Sequence, residues 1–209
     1  MPSTKPAAMP DAPETEKPEK ESKRKGSDPG RWMRKSRSIL IYGPIEPKLT
    51  REVTSQLLLL DAMSPDKPIK VYVNSPGGVA DDGFAIYDLM HFVRAPVYTI
   101  VTGMAASAAT ILLLGAAKGR RLIMPHARVM LHQPSTMVRG TAADISVSAK
   151  ELLRLRRKAN DLYARETGRP VEQIEKELSR DYWMSAEEAV AYKIIDRVVT
   201  SINDVIPAS

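Results

Sequence analysis

The longest uncharged stretch of the chain constrains its fold more than any other feature. Val97–Ala117 spans 21 residues without a charged side chain, and its length alone would permit a transmembrane helix. Its first part, Val97–Val101, is β-branched or aromatic and suits a buried strand. Gly103 interrupts that pattern, and Ala105–Ala117 consists mostly of small, helix-favouring residues. We therefore expect a buried strand, a tight turn and a buried helix here, and no membrane span.

Strand and helix patterns alternate along the rest of the body. Runs of β-branched and apolar residues predict further strands at Ile39–Tyr42, Ile69–Val73, Arg121–Met124, Arg128–Leu131 and Asp196–Val199. Helical periodicity and end signals predict helices at Thr50–Met63, with Thr50 as its N-cap, and at Asp81–Val93, Thr141–Glu166, Pro170–Leu178 and Ser185–Tyr192. This alternation predicts an α/β fold with helices packed on a largely parallel sheet.

Charge is concentrated at the N-terminus. The chain of 209 residues has a formal net charge of +6, and residues 1–37, with ten Lys or Arg and six Asp or Glu, account for four of those charges. The nearly neutral body does not indicate a nucleic-acid-binding protein. Residues 1–36 lack the apolar run of a signal peptide, and their Pro, Lys, Glu and Ser content predicts a disordered leader. The alternative is a basic patch in this segment that docks on an anionic partner. We expect residues 37–209 to form one domain.

The chain has no cysteine, which excludes disulfides, thiol nucleophiles and cysteine-based zinc sites. Candidate chemistry must therefore come from other side chains, and α/β proteins place their sites in loops at the carboxyl ends of strands. The first such loop is Ser75–Gly78. Its proline and two glycines allow the main chain to approach a ligand closely and to aim N–H groups at an oxyanion, although an ordinary strand-to-helix turn has the same composition.

The second loop carries Ser107 where the uncharged strand passes into its helix. Unpaired N–H groups and the dipole at a helix N-terminus stabilise the negative charge that develops when a hydroxyl attacks a carbonyl. The pattern differs from the G-x-S-x-G elbow of α/β-hydrolases because Ala105 and Ala109 replace the glycines. A serine cap on a buried, alanine-rich helix is the structural alternative.

The third loop carries His132. Of the three histidines, His91 lies within a predicted helix and His126 lies in a turn, whereas His132 ends an apolar strand and precedes an X-Pro segment. His132 is therefore the best candidate for a general base, with a hydrogen-bonded structural histidine as the alternative. The pattern leaves three acids open as the partner of this base, Asp144, Asp181 and Asp196.

Taken together, these loops resemble the ClpP family, the proteolytic subunits of ATP-dependent Clp proteases. The resemblance runs from about Arg37 to Val199, and its carriers are Asn74–Gly78, Gly103–Ser107, His132–Pro134, Ser179–Asp181 and Ser185–Ala189. It implies an α/β spiral of ββα units related to crotonase, with a protruding helix–strand handle. It also implies self or paralogous subunits stacked as heptameric rings around a closed chamber.

The resemblance further implies a cytoplasmic serine endopeptidase that hydrolyses unfolded polypeptides. An AAA+ unfoldase would feed the chamber and use ATP, while the chain itself is expected to use no cofactor or metal and to bind neither nucleic acid nor membrane. By position, Ser107 is implied to be the nucleophile, His132 the base and Asp181 the acid. Further implied roles are the oxyanion hole for the N–H groups of Gly78 and Ala108, substrate binding for Gly77, Val79, Gln133 and Pro134, and a ring contact for Arg180.

Four departures from the family pattern concern the pocket, the rings and the docking surface. They are Ala108-Ala109-Thr110 in place of Met-Gly-Ala, Ser135–Arg139 in place of a Gly-rich strip, Ser179 in place of an acid before Arg180, and Lys70 in place of an aromatic near Tyr72. They support a second hypothesis, a partly structural subunit of mixed rings with a more typical paralogue.

Two other enzyme classes can be compared with this pattern. A crotonase-type thioester enzyme relies on carboxylates and backbone N–H groups and needs no Ser–His pair. A Ser–Lys peptidase needs a lysine near the nucleophile, but we expect Lys118 at the far end of the helix that Ser107 begins, about 16 Å away at helical rise.

Overall fold

The structure, a computed structural model, describes residues 29–206. Its strands are β1 (Ser38–Tyr42), β2 (Ile69–Ser75), β3 (Val97–Ala106), β4 (Arg121–Ile123), β5 (Arg128–Leu131), β6 (Tyr182–Met184) and β7 (Arg197–Val198). Its α-helices are α1 (Pro29–Lys35), α2 (Pro47–Met63), α3 (Ala80–Phe92), α4 (Ala108–Leu113), α5 (Ala142–Thr167), α6 (Val171–Glu177) and α7 (Ala186–Ala191). The α/β class expected from the sequence is confirmed.

Strand β3 organises the sheet because it changes partner along its length. The main path of the sheet is parallel and runs β1-β2-β3-β4-β7. The first half of β3 pairs with β4, whereas its last residues, Met104–Ala106, pair with β5. Strand β6 then adds to β5 in the antiparallel direction. The loops that follow β2, β3 and β5 therefore come together at one edge.

The hydrophobic core supports the edge of the sheet where the loops after β2, β3 and β5 meet. Alternate residues of β2, from Ile69 to Ser75, are buried, and all six residues of α4 are buried as well. The apolar residues among them belong to one continuous cluster that includes residues of α2, α3 and α5. Full burial of each large aliphatic side chain contributes about 1.5–3 kcal/mol, so the strand ends that carry the loops rest on a rigid support.

The uncharged stretch folds as a strand followed by a helix, but with different bounds from those predicted. Gly103 does not end the strand: the side-chain oxygen of Asn74 accepts a hydrogen bond from the Met104 N–H at 3.2 Å, and β3 continues to Ala106. A Cβ on Gly103 would lie 2.6 Å from that oxygen, so glycine permits the close approach. Within residues 29–206, no helix combines the length and the apolar character that crossing a membrane requires.

Helix α2 begins earlier than predicted. Its N-cap is Glu46 and Pro47 is its first residue, because the fixed φ of proline suits the first helical position. The Thr50 N–H donates to the Glu46 carbonyl at 2.9 Å, so Thr50 lies inside the first turn and is not the cap.

The predicted handle and leader are described only in part. No residue of α5 before Ala159 is buried, and residues 132–140 form no strand within the described chain. The predicted leader lies outside the described residues up to position 28. Its described end folds as α1, a seven-residue helix with no buried side chain, and not as irregular chain.

Candidate active site

Ser107 occupies the turn between β3 and α4 in an uncommon backbone conformation. Its φ of 55° and ψ of −127° are rare for a residue with a side chain. Such a residue costs about 1–3 kcal/mol and persists only where its surroundings enforce it, most often at functional sites. Here the Ser107 N–H donates to the Met130 carbonyl of β5 at 3.0 Å. The strand pairing therefore holds the hydroxyl outward at the edge of the sheet.

His132 follows the last residue of β5 and faces this hydroxyl. Its Nε2 lies 2.7 Å from Ser107 Oγ, within hydrogen-bonding distance. For Nε2 to accept the hydroxyl proton it must be unprotonated, so the ring proton of the neutral histidine must be on Nδ1. The side chain is 27% exposed, which leaves it accessible from the groove beside Ser107.

The carboxylate of Asp181 lies beside the other ring nitrogen of His132. Its Oδ1 lies 3.3 Å from His132 Nδ1. The position results from the antiparallel pairing of β5 and β6, in which Leu131 is opposite Tyr182, so that His132 directly after β5 lies beside Asp181 directly before β6. The Asp181 side chain is 61% exposed.

The two other acids that the sequence left open are engaged elsewhere. Asp144 closes the capping box of α5 and accepts a hydrogen bond from Thr141 Oγ1 at 2.7 Å. Asp196 accepts the Arg121 N–H at 2.8 Å on the far side of the sheet path, where β4 pairs with β7. Of the three candidates, the structure brings only Asp181 to the histidine.

The glycine loop after β2 packs directly against Ser107. The Gly77 N–H donates to the buried Ser75 Oγ at 3.1 Å, and the Gly77 carbonyl accepts the Ile45 N–H at 2.8 Å. A Cβ on Gly77 would lie 2.7 Å from the Cβ of Ser107 and 2.9 Å from the nitrogen of Ala108. Glycine is required for this approach, and φ at Gly77 is +91°.

Two backbone N–H groups beside Ser107 remain available as donors. Neither the Gly78 N–H nor the Ala108 N–H donates to an acceptor in the part of the chain that the structure describes. Both residues line the groove that contains Ser107 and His132. Two free N–H donors next to a nucleophile are the arrangement that stabilises a tetrahedral oxyanion.

The groove has a volume of about 540 Å³ and mainly apolar walls. Its lining includes Val79, Ile111, Met130, Pro134, Leu152, Leu155, Ala159 and Tyr163. Of the predicted substrate-binding residues, Val79 and Pro134 lie in this wall and Gly77 is buried beneath it. Gln133 instead lines a neighbouring cavity with Asp181 and Arg180, and its N–H donates to the Leu178 carbonyl at 3.1 Å.

Sequence reasoning missed two residues of this site, and it assigned Lys118, outside the site, to the wrong element. Thr110 and Tyr163 are hydrogen-bonded to each other at 2.6 Å under the groove. The period of the long helix places Tyr163 on a buried face, but no local signal connects it to Ser107. Lys118 was expected at the far end of the serine's helix, which is wrong because α4 already ends at Leu113.

Comparisons with known proteins agree on one family. The family model "Clp protease" matches residues 21–202. The chain is 43% identical over 188 residues to the ATP-dependent Clp protease proteolytic subunit 2 of Treponema denticola, covering 88% of this chain and 94% of that protein. It is 46% identical over 171 residues to proteolytic subunit 3 of Rhizobium etli, covering 82% of this chain and 88% of that protein.

A solved structure gives the same result. A mutant of ClpP1 from Listeria monocytogenes is 36% identical to this chain, with a TM-score of 0.78, and the match covers 84% of this chain and 98% of that one. The family expected from the three loops is thereby confirmed. The chain belongs to the Clp protease family of serine peptidases.

Proposed function

We propose that the chain is a serine endopeptidase subunit with Ser107 as nucleophile, His132 as general base and Asp181 as the orienting acid. One observation carries the proposal: Ser107 Oγ lies 2.7 Å from His132 Nε2 while Asp181 Oδ1 lies 3.3 Å from Nδ1. A hydroxyl hydrogen-bonded to one ring nitrogen of a histidine, with a carboxylate at ion-pair distance from the other, is the arrangement expected of a hydrolytic triad.

The acylation step follows from this geometry. Ser107 Oγ attacks the scissile carbonyl carbon as its proton moves to His132 Nε2, and the carbonyl oxygen becomes an oxyanion bound by the N–H groups of Gly78 and Ala108. Asp181 stabilises the imidazolium. The imidazolium then protonates the leaving amine as the peptide C–N bond breaks, which leaves an acyl-serine and a neutral histidine.

Deacylation reverses the roles with water as the nucleophile. Water loses its proton to His132 and attacks the acyl carbon. When the new tetrahedral intermediate collapses, the imidazolium returns the proton to Ser107 Oγ, and the product leaves as a carboxylic acid that loses its proton to solvent. The cycle uses only the chain's own side chains and water, so we expect the hydrolysis itself to need no cofactor.

The groove suits an extended polypeptide. Its apolar walls at Val79, Ile111 and Leu155 can bind an apolar side chain of the substrate, and its edge at Pro134 continues past the triad. A folded protein cannot present an extended segment to such a groove, so we expect unfolded polypeptide substrates. We further propose heptameric rings enclosing a chamber in the cytoplasm. We also propose an AAA+ unfoldase partner that consumes the ATP, because the relatives are named as proteolytic subunits of ATP-dependent Clp proteases.

Active-site labelling tests the assignment. A fluorophosphonate probe should label the full chain covalently and fail to label Ser107→Ala, because removing a triad member lowers the rate by about 10⁴ to 10⁶. Ser55→Ala is the matched control, since Ser55 is exposed on α2 and its hydroxyl donates to the Arg51 carbonyl at 2.7 Å. Equal labelling of Ser107→Ala and the wild-type chain would refute the role of Ser107.

A crotonase-type thioester activity fits the site less well. Such an enzyme would use the two free N–H groups of Gly78 and Ala108 with carboxylates. The hydrogen bond between Ser107 and His132 would then take no part in its reaction. The hydrogen-bonded serine and histidine therefore favour peptide hydrolysis.

A subunit that acts mainly in mixed rings is a second candidate function, favoured by the segment after His132. Residues 133–140 form no strand, Met137 is 84% exposed, and Arg180 has no ion-pair partner among the described residues. One exposed ion pair contributes about 0–1 kcal/mol, but a symmetric ring interface repeats the loss. We expect the chain alone to form single or loosely paired rings with weak peptidase activity. Sedimentation at micromolar concentration tests this, and a stable double ring that cleaves small peptides unaided would contradict it.

A further inference from the structure

A buried hydrogen-bond chain ends on the carbonyl of Ser107, and the triad mechanism makes no use of it. Tyr163 Oη lies 2.6 Å from Thr110 Oγ1, and Thr110 Oγ1 lies 2.6 Å from the carbonyl oxygen of Ser107. Thr110 is fully buried and Tyr163 is 2% exposed. Thr110 belongs to the short helix α4, whereas Tyr163 reaches the site from the long helix α5.

The direction of this chain follows from counting protons. A carbonyl oxygen only accepts, so the single hydroxyl proton of Thr110 must be donated to Ser107. Thr110 Oγ1 can then only accept from Tyr163, which must be the donor in their contact. Burial raises the pKa of Tyr163 to about 12, so its hydroxyl keeps this proton throughout the neutral range.

The carbonyl of Ser107 and the N–H of Ala108 belong to the same peptide unit. No peptide bond of the described chain is cis, and in a trans peptide the C=O and N–H bonds point in opposite directions. The Ser107 carbonyl accepts from both Oγ1 and the main-chain N–H of Thr110, the latter at 2.9 Å. Anchoring the carbonyl on the helix side therefore turns the Ala108 N–H toward the groove.

We propose that Thr110 and Tyr163 are positioning residues that fix the Ser107–Ala108 peptide so that its N–H points at the substrate oxyanion. The proposal rests on the serine peptidase function above and explains what Thr110 does next to Ala108 and Ala109. Hydrogen bonds that polarise one another in series also make the far donor stronger, so the chain both aims and strengthens the Ala108 N–H.

The test uses two hydroxyl deletions that keep side-chain shape, Tyr163→Phe and Thr110→Val, and their combination. The full chain is assayed with a short fluorogenic peptide, with its assembly state checked by sedimentation. Losing one oxyanion donor costs about 10²–10³ in kcat, and a donor that is only misaimed costs less, so we expect about 10-fold for Tyr163→Phe and about 30-fold for Thr110→Val, with KM unchanged. The kcat of the double variant should be no lower than the kcat of Thr110→Val alone.

Stability and inhibitor binding separate positioning from a merely structural role. Thr110→Val leaves the buried Tyr163 hydroxyl without its acceptor, whereas the double variant removes both hydroxyls and should recover much of the melting temperature lost in Thr110→Val. If the pair acts only through stability, kcat will recover with it; we expect kcat to stay low. Binding of a peptide boronate, whose tetrahedral adduct places an oxygen at the oxyanion position, should weaken by the same factor as kcat.

Two control variants complete the experiment. Tyr87→Phe also deletes a tyrosine hydroxyl bonded to α5, there to Arg165 at 2.9 Å, and should leave kcat unchanged. Thr110→Ser keeps the donor and should retain kcat within about twofold. If the fluorophosphonate labels the wild-type chain but the double variant keeps wild-type kcat, this proposal alone is overturned. The same holds if the variants change only KM. A wild-type chain that the fluorophosphonate does not label would overturn the proposed function together with it.

Discussion

Replacing Asp181 with asparagine tests the triad most directly, because it changes the charge and the hydrogen-bonding character of one side chain and almost nothing of its size. In the wild-type chain the carboxylate oxygen lies 3.3 Å from His132 Nδ1, and its negative charge favours the proton on that nitrogen, which leaves Nε2 free to take the proton of Ser107. An asparagine amide can donate to Nδ1 instead. The ring then carries its proton on Nε2, the tautomer that cannot act as a base.

The exposure of Asp181 sets the size of the effect. For a buried triad acid the wrong tautomer lowers kcat by about 10⁴, which is about 5.4 kcal/mol. Asp181 is 61% exposed, so water competes for Nδ1 and part of the productive tautomer survives. We therefore expect a loss of about 10³ in kcat, or about 4 kcal/mol, with KM and melting temperature little changed.

Peptide hydrolysis under saturating substrate measures this loss, with Asp144→Asn and Asp196→Asn as charge-matched controls. Asp144 caps α5 and Asp196 binds the Arg121 N–H, so these variants should affect stability more than kcat. The reasoning is refuted if Asp181→Asn retains wild-type kcat. It is equally refuted if one of the two controls is the inactivating change.

Three further predictions concern the loop, the core and the docking face. Gly77→Ala should lower kcat by about 100-fold, because the new Cβ would lie 2.7 Å from the Cβ of Ser107 and must displace the nucleophile; wild-type kcat would contradict the predicted clash. Glu166→Gln should lower the unfolding free energy by about 3 kcal/mol at pH 7, because it leaves the 3%-exposed Arg121 without its carboxylate. Burial opposes ionisation of Glu166, but hydrogen bonds from arginine outweigh it and hold its pKa below the ordinary 4.5. The stabilisation that the Glu166 carboxylate gives the folded state is therefore present above pH 4.5 and is lost as the pH falls through the lower folded pKa. The unfolding free energies of the wild-type chain and Glu166→Gln, measured by urea titration, should converge in acid. Lys70→Tyr should strengthen binding to an unfoldase, because a charge that resists desolvation is replaced by an apolar ring, and unchanged affinity in a pull-down titration would place docking elsewhere.

The sequence by itself determined the α/β alternation and the two loops that carry Ser107 and His132. Both follow from local rules. Apolar period and length separate strands from helices, and the carboxyl ends of neighbouring parallel strands lie at the same edge of a sheet, so residues that follow such strands are brought together. The predicted strand at Arg128–Leu131 matches β5 residue for residue. His132 could therefore be placed at the end of a strand before any coordinates were known.

Which carboxylate lies beside His132 was decided by the tertiary structure, with the family resemblance as the only earlier indication. Strand β6 has three residues, too few for any periodic signal, and it exists because it pairs with β5. That pairing sets Asp181 beside His132, whereas Asp144 lies in α5 and Asp196 directly precedes β7. The extension of β3 past Gly103 likewise depends on a side chain 29 residues earlier, Asn74, which accepts the Met104 N–H.

The buried chain from Tyr163 through Thr110 to Ser107 is also a product of the tertiary structure. It joins positions 53 residues apart, and propensity or pattern along the chain cannot report a contact between groups that meet only when two helices pack. Local sequence specifies which segments become strands and helices, because those preferences act over a few residues. Side-chain hydrogen bonds across the fold depend on distances that only the packed core defines.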